Sequence, residues 1–327
     1  MFTLTGALLV VYTGSLMSHR YADAPAASQA WITWSYMLFG LSGLIWALVL
    51  VPIQLRQRLL LNRFQAVTPE YLKLSRIWQI SGAVATIGLV VLITGGASGI
   101  GAATAKALKA KGAVPVLVDC DAQQLAATAA DLGVASFCAD VTDFAACEAA
   151  VAHTLESHGR INVVWANAGV ASFGPLRLTD IGAWKRCVDV NVFGTLNIVR
   201  AALPFVIDQR GYVLATASVS SFAHPPCVSS YAASKAAVEA MCNSWRIELA
   251  SHGVGVGTIY ASWVQTKMVT EGDMHPAFVR LKSTMPPVMS RAMPAQQAAD
   301  MILSGIERRA RRIWVPGWVR VLYWFRT

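Results

Sequence analysis

The chain has 327 residues, 55% of them hydrophobic and only 14% charged, with a mean hydropathy of +0.48. Soluble domains carry about a quarter charged residues, so this balance excludes both an ordinary cytosolic enzyme and a disordered chain. The net charge of +9 sits at the ends: six basic against two acidic residues in 1–76, six against one in 306–327, and 15 of each sign between them. A nucleic-acid protein carries its basic stripe on the folded body. Here the excess borders apolar, Trp-rich sequence, as juxtamembrane segments do. Membrane lipid is therefore an expected partner and nucleic acid is not. The six cysteines show no C-x-x-C pair, so free thiols are expected and no metal site is.

Residues 1–76 read as a membrane anchor region. Residues 2–18 are apolar but broken by Thr, Gly and Ser, and read either as a first span or as a signal peptide cleaved after Ala22-Asp23-Ala24. Residues 31–53 run 23 positions without a charge. As helix they extend about 34 Å, enough to cross a hydrocarbon core of about 30 Å. The loop 54–76 carries Arg56, Arg58, Arg63, Lys73 and Arg76 against Glu70. The positive-inside rule places that side, and all that follows, in the cytoplasm. Residues 77–88 read as a linker, because the apolar run they open ends in a buried strand and leaves too few residues to span. This N-terminal region loosely resembles a bacterial integral-membrane family of unknown function, which assigns it no chemistry.

From residue 89 short β-rich runs alternate with Ala-rich stretches. Strands are predicted at 89–94, 114–119, 134–140, 161–167, 211–218, 254–260 and 312–315, with helices near 101–111, 121–131, 143–158, 180–207, 231–251 and 294–310. Seven apolar strands alternating with helices indicate an α/β fold, a parallel sheet covered on both faces. The expected catalytic domain is 89–316, followed by a basic, aromatic tail, 317–327.

The first strand runs into Thr94-Gly95-Gly96-Ala97-Ser98-Gly99-Ile100-Gly101 and then a helix. Glycines in that context permit a tight turn, let amides approach a pyrophosphate and aim a helix N-terminus at its charge. Asp119 ends the second strand 18 residues later, and Cys120 and Asp121 follow rather than Arg or Lys. A carboxylate there accepts from ribose hydroxyls and repels a 2′-phosphate, favouring NAD over NADP. Tyr231 and Lys235, at i and i+4, share one helix face. An ammonium beside a phenol stabilises the phenolate.

Together these residues resemble the short-chain dehydrogenase/reductase family, over roughly 89–315. TGGASGIG is similar to the family's cofactor loop. Asp140-Val141 matches the pair that holds the adenine, and Ala166-Asn167-Ala168-Gly169 matches the NNAG motif. Asn191 matches the catalytic Asn, and Ser218 the substrate-orienting Ser 13 residues before Tyr231. Tyr231-Ala-Ala-Ser-Lys235 matches YxxxK, and Val264 and Thr266 match the positions that hold the nicotinamide carboxamide. The departures are Ala166 for the first Asn, and Ala261-Ser262 where Pro-Gly is usual.

The resemblance implies a Rossmann-type doubly wound sheet and reversible hydride transfer between an alcohol carbon and the nicotinamide. Tyr231 is then general acid/base, Ser218 binds the substrate oxygen, Lys235 lowers the Tyr231 pKa and holds the ribose, and Asn191 anchors a proton-relay water. Met268, Met274, Met285, Met289, Met293 and Phe278 suit an apolar alcohol or ketone substrate equally with ordinary packing of a lid, and His224 and Pro225-Pro226 are further pocket candidates. The C-terminal Arg308, Arg309, Arg311 and Arg312, interleaved with Trp314, Trp318, Tyr323, Trp324 and Phe325, suit a membrane surface or else a contact in a homo-oligomer. The alternative function is a non-catalytic dinucleotide-binding membrane sensor or scaffold.

Overall fold

The computed structural model describes residues 88–272 and 276–325. The segments expected as spans, 2–18 and 31–53, lie outside the described residues, as do most of the expected linker and Met274. The chain divides into two units, 1–78 and 79–327, and the described residues lie in the second.

Seven strands, β1 (Val90–Thr94), β2 (Val114–Asp119), β3 (Ala135–Cys138), β4 (Val163–Ala166), β5 (Tyr212–Ser218), β6 (Gly255–Ala261) and β7 (Arg312–Val315), form one sheet in the order 3-2-1-4-5-6-7. Every pairing is parallel, with Val91 opposite Pro115 on one side and Val163 on the other. All five β1 residues are buried, as a strand covered on both faces requires. Successive residues feed opposite cores: Leu92, Val116, Val164 and Val213 face one way, and Ile93, Leu117, Trp165 and Leu214 the other. The first core is closed by α3 (Phe144–His158), α5 (Gly194–Asp208) and α6 (Ser229–Glu248). The second is closed by α1 (Gly99–Ala110), α2 (Ala122–Leu132) and, after the short helices α7 (Lys267–Gly272), α8 (Pro276–Ser283) and α9 (Pro287–Ser290), by α10 (Ala295–Glu307). Strand order reverses between β1 and β4, which opens a crevice at their carboxyl ends, the usual ligand position in such sheets.

The stretch 180–207, expected as one helix, is three pieces: α4 (Ile181–Val188), a π-helical turn Asp189–Phe193, and α5. Its length and apolarity suffice to cross a membrane, yet Cys187, Val190, Ile198, Val199 and Val206 are buried in the domain, so it is a core helix. Single π turns inside helices recur at functional sites, and Asn191 lies in this one.

The C-terminal residues expected as a tail pack onto the fold. Helix α11 (Val319–Trp324) buries Val319 and sets Tyr323 among Phe222, Tyr260 and Trp314, with ring centroids 5.0–5.4 Å away. The Tyr323 hydroxyl donates to Glu239 Oε1 at 3.0 Å. Two arginines of the basic run, though exposed, are engaged by groups of the domain itself. Arg309 donates to the carbonyls of Arg210, Gly211 and Gly253, and the Arg312 guanidinium lies 5.1 Å from the Tyr323 ring centre.

Candidate active site

Three helices begin with an aspartate that accepts backbone amides: Asp121 from Gln124, Asp143 from Ala145 and Ala146, and Asp180 from Ala183. Such caps contribute about 1 kcal/mol each. Helix α1 is different: Ser98 is extended, its side chain caps nothing, and no acid lies in the first turn. The first-turn amides of α1 thus have no competing carboxylate, the condition for binding a phosphate there.

The loop that presents them is held from below. Asn167 donates from Nδ2 to the carbonyls of Thr94 (3.1 Å) and Gly95 (3.2 Å), and accepts at Oδ1 from Thr216 (3.1 Å). Thr94 Oγ1 accepts the amides of Asn167 and Ala168. Gly101 passes so close that a Cβ would stand 2.2 Å from the Gly95 carbonyl oxygen. Asp119 Oδ2 accepts the Ala97 amide at 3.0 Å, and Oδ1 that of Asp121 at 3.2 Å. The carboxylate therefore fixes the loop and still fronts the cavity. Asp140 accepts the amide and hydroxyl of Thr142, both at 2.9 Å, and the amide bond first of all holds its pKa below the ordinary value.

A cavity of about 830 Å³ runs along the carboxyl ends of the strands. Of the residues expected at the cofactor, Gly95, Ser98, Ile100, Asp119, Asp140, Val141, Asn167, Ala168, Gly169, Val264 and Thr266 line it. Thr94, Gly99 and Gly101 stand outside the wall and shape the loop. The glycine cradle, the uncapped helix and a carboxylate after β2 fit a dinucleotide.

Ser218, Tyr231 and Lys235 line the same cavity on the other side of β4. Ser218 ends β5, where its hydroxyl donates to the Ala261 carbonyl (3.2 Å) and accepts the Ser220 amide (3.1 Å). Tyr231 and Lys235 rise one turn apart on α6, with Lys235 Nζ 5.7 Å from the phenol ring centre and donating to the Thr216 carbonyl at 2.7 Å. Burial pushes the Tyr231 phenol up to about 12, partly offset by Ser218, and pushes Lys235 down to about 8. Gly169 leaves room for this group: a Cβ there would lie 3.2 Å from Lys235 Nζ.

Asn191 is fully buried and stands behind the cavity wall. Its Oδ1 accepts the Val170 amide (2.8 Å), while Nδ2 donates to the Val170 carbonyl (2.9 Å) and to Ser234 Oγ (2.8 Å). Ser234 in turn donates to the Tyr231 carbonyl at 2.8 Å. Ser234 lies inside YAASK and is a residue that motif reading passes over, since its partner is 43 positions away.

The loop carrying Ala261-Ser262 in place of Pro-Gly is held by its backbone. Ser262 donates to the Val315 carbonyl at 2.7 Å, and Met293 to that of Trp263 at 2.9 Å. Beyond Ser218 the wall is mainly apolar, with Ser220, Ser262 and Lys267 among its polar members. Met268, Met285 and Met289 line it with Trp263, Phe173 and Pro225, and His224 joins them. Met293 instead pairs with Val264 in an isolated bridge. Trp318 and Leu322 complete the wall, an assignment missed because their segment reads as tail.

Residues 89–276 match the family model described as short chain dehydrogenase, and residues 1–94 match one described as predicted integral membrane protein. The chain is 31% identical to 11-beta-hydroxysteroid dehydrogenase A of Sesamum indicum over 73% of its own length and 71% of the relative's. It is 32% identical to meso-2,3-butanediol dehydrogenase of Serratia marcescens over 65% and 85%. A short chain dehydrogenase/reductase from Burkholderia phymatum, solved in complex with NAD, superposes with a TM-score of 0.65 at 27% identity, covering 74% of this chain and 96% of that one. The chain therefore belongs to the short-chain dehydrogenase/reductase family, an NAD(P)-dependent oxidoreductase domain joined to a predicted integral membrane region.

Proposed function

We propose that the protein is a membrane-anchored, NAD-preferring alcohol dehydrogenase or ketoreductase for an apolar substrate, with its catalytic domain on the cytoplasmic side. The observation that carries this is that one cavity holds Asp119 and the uncapped α1 loop at its β2–β1 side, a mainly apolar wall at its β6–β7 side, and Ser218, Tyr231 and Lys235 between. The cytoplasmic placement rests on the basic loop 54–76.

In this reading Ser98, Ile100 and the α1 amides hold the pyrophosphate, Asp119 the adenosine ribose, Asp140 and Val141 the adenine, and Val264 and Thr266 the nicotinamide carboxamide. The bound dinucleotide supplies the hydride chemistry and, when oxidised, a positive charge. Ser218, its hydroxyl turned from the Ala261 carbonyl, donates a hydrogen bond to the substrate oxygen and stabilises charge developing there. Tyr231 gives its proton to that oxygen in reduction and removes it in oxidation. Burial raises the phenol further above its ordinary value and keeps it protonated, which suits the reductive direction. For oxidation, the Lys235 ammonium must offset that burial. Asn191, its amide occupied by Val170 and Ser234, is a positioning residue for the loop after β4 and for α6.

The test is turnover by the full chain in mild detergent, with NAD and NADP, across alcohols and ketones of rising chain length. Each buried methylene contributes about 0.8 kcal/mol, so kcat/KM is expected to rise about fourfold per carbon until the cavity is filled, with NAD favoured. A flat series, or selection for charged substrates, overturns the apolar reading. NADP preference overturns the role of Asp119.

A further inference from the structure

Large apolar side chains exposed to solvent are not spread evenly over the domain. Of the ten among the described residues, six lie on two segments that border the apolar end of the cavity, each 59–76% exposed. Leu176, Leu178 and Ile181 follow β4, on the segment that contributes Phe173 to the wall. Val321, Trp324 and Phe325 belong to α11 and its end, where Trp318 and Leu322 line the wall. The two segments are linked through the residues between β5 and α6. Gly174 donates to the Cys227 carbonyl at 2.8 Å, and the Phe222 ring meets Tyr323 at 5.1 Å.

At 100° per residue, α11 divides cleanly. Val319, Leu322 and Tyr323 turn inward, and Arg320, Val321, Trp324 and Phe325 turn outward. A surface helix ordinarily shows a polar outer face; this one shows two aromatics, a valine and an arginine. The other segment sets exposed Arg177 between Leu176 and Leu178, and its one acid, Asp180, is engaged in capping α4. Apolar side chains interleaved with arginine fit the interfacial zone of an anionic bilayer, and the same chain matches an integral-membrane family over residues 1–94.

We infer that this rim, formed by α11 and the segment 176–181, docks on an anionic lipid surface and is the mouth through which an apolar substrate passes from the bilayer to Ser218 and Tyr231. The inference deepens the proposed function by naming where such a substrate enters, and its test involves no turnover.

The full chain, with Cys120, Cys138 and Cys227 replaced by serine, is reconstituted in vesicles of phosphatidylcholine with or without phosphatidylglycerol. A spin label is placed in turn at Val321→Cys, Leu178→Cys and Ile247→Cys, the last an exposed apolar site on α6 away from the rim. Collision with oxygen, which partitions into lipid, is compared with collision with a water-soluble nickel complex. The expected result is oxygen preference at 321 and 178, stronger with phosphatidylglycerol, and nickel preference at 247. Charge reversal by Arg177→Glu with Arg320→Glu is expected to lower the oxygen preference at least about threefold while dinucleotide binding, which reports folding, persists. Nickel preference at 321 equal to that at 247 overturns the inference. So does shielding from both reagents with spin–spin broadening, which identifies a second copy of the chain as the occupant.

Discussion

Asn191 Nδ2 donates to Ser234 Oγ at 2.8 Å, joining the π turn between α4 and α5 to the helix that carries Tyr231 and Lys235. Ser234 passes the connection to the Tyr231 carbonyl, and Asn191 passes it to both backbone groups of Val170. The pair thus ties the backbone of Tyr231 to the loop after β4. Ser234→Ala removes a buried acceptor from Asn191 and is expected to cost about 1–3 kcal/mol of stability. It should also lower kcat about tenfold with dinucleotide affinity nearly unchanged, and Ser234→Thr should restore much of both. Thermal unfolding and steady-state kinetics check this, and an unchanged kcat contradicts the coupling.

Lys235 is expected to set the pH dependence. Burial lowers its pKa to about 8 while Tyr231 is pushed up to about 12. Lys235 is therefore cationic below about pH 8 and loses its charge as pH rises through that value, well before the phenol ionises. kcat/KM for the reduced dinucleotide, which reports groups of the free enzyme, is expected to fall above about pH 8. In Lys235→Arg that limb should move out of range, since a guanidinium stays charged. A limb unmoved in the arginine variant assigns it to another group.

Gly101 has no room for a side chain. Its Cβ would meet the Gly95 carbonyl oxygen, part of the backbone of the loop it supports. Gly101→Ala is expected to cost about 1–3 kcal/mol, as overpacking does, and to raise the dinucleotide Kd at least about tenfold. Isothermal titration checks the second effect, and wild-type affinity would show that the loop tolerates the shift.

Asp119 has two duties, bracing Ala97 and facing the cavity. Asp119→Asn keeps one acceptor oxygen for the brace and removes the charge. The NADP-to-NAD ratio of kcat/KM is expected to rise at least about tenfold, about 1.4 kcal/mol of discrimination. An unchanged ratio places the selectivity elsewhere, for which Arg186, on the same cavity wall, is the residue to vary next.

Much of this architecture is legible in the residues themselves. β1, β2 and β7 fall within one residue of the apolar runs that announce them; in β1, buried on both faces, the run is Val-Val-Leu-Ile with no polar break. The glycine loop and the Tyr231–Lys235 pair are equally visible, being local patterns. The π turn is not, since the apolar pattern of 180–207 continues through it unbroken. Trp318 and Leu322 were hidden for a different reason. Their place in the wall depends on Tyr323 finding Phe222, Tyr260 and Glu239, residues 63 to 101 positions earlier. Arginine–aromatic composition alone could not separate that inward face from the outward one.

The most direct test follows deuterium from nicotinamide C4 of labelled NADH to the carbonyl carbon of a long-chain ketone, with the full chain and with Tyr231→Phe side by side. The account predicts transfer by the native chain, and a loss of about 10²- to 10⁴-fold in the variant, the usual contribution of a general acid, with dinucleotide binding intact. Transfer by Tyr231→Phe at the native rate, or tight dinucleotide binding by the native chain without transfer to any ketone of the series, would contradict it.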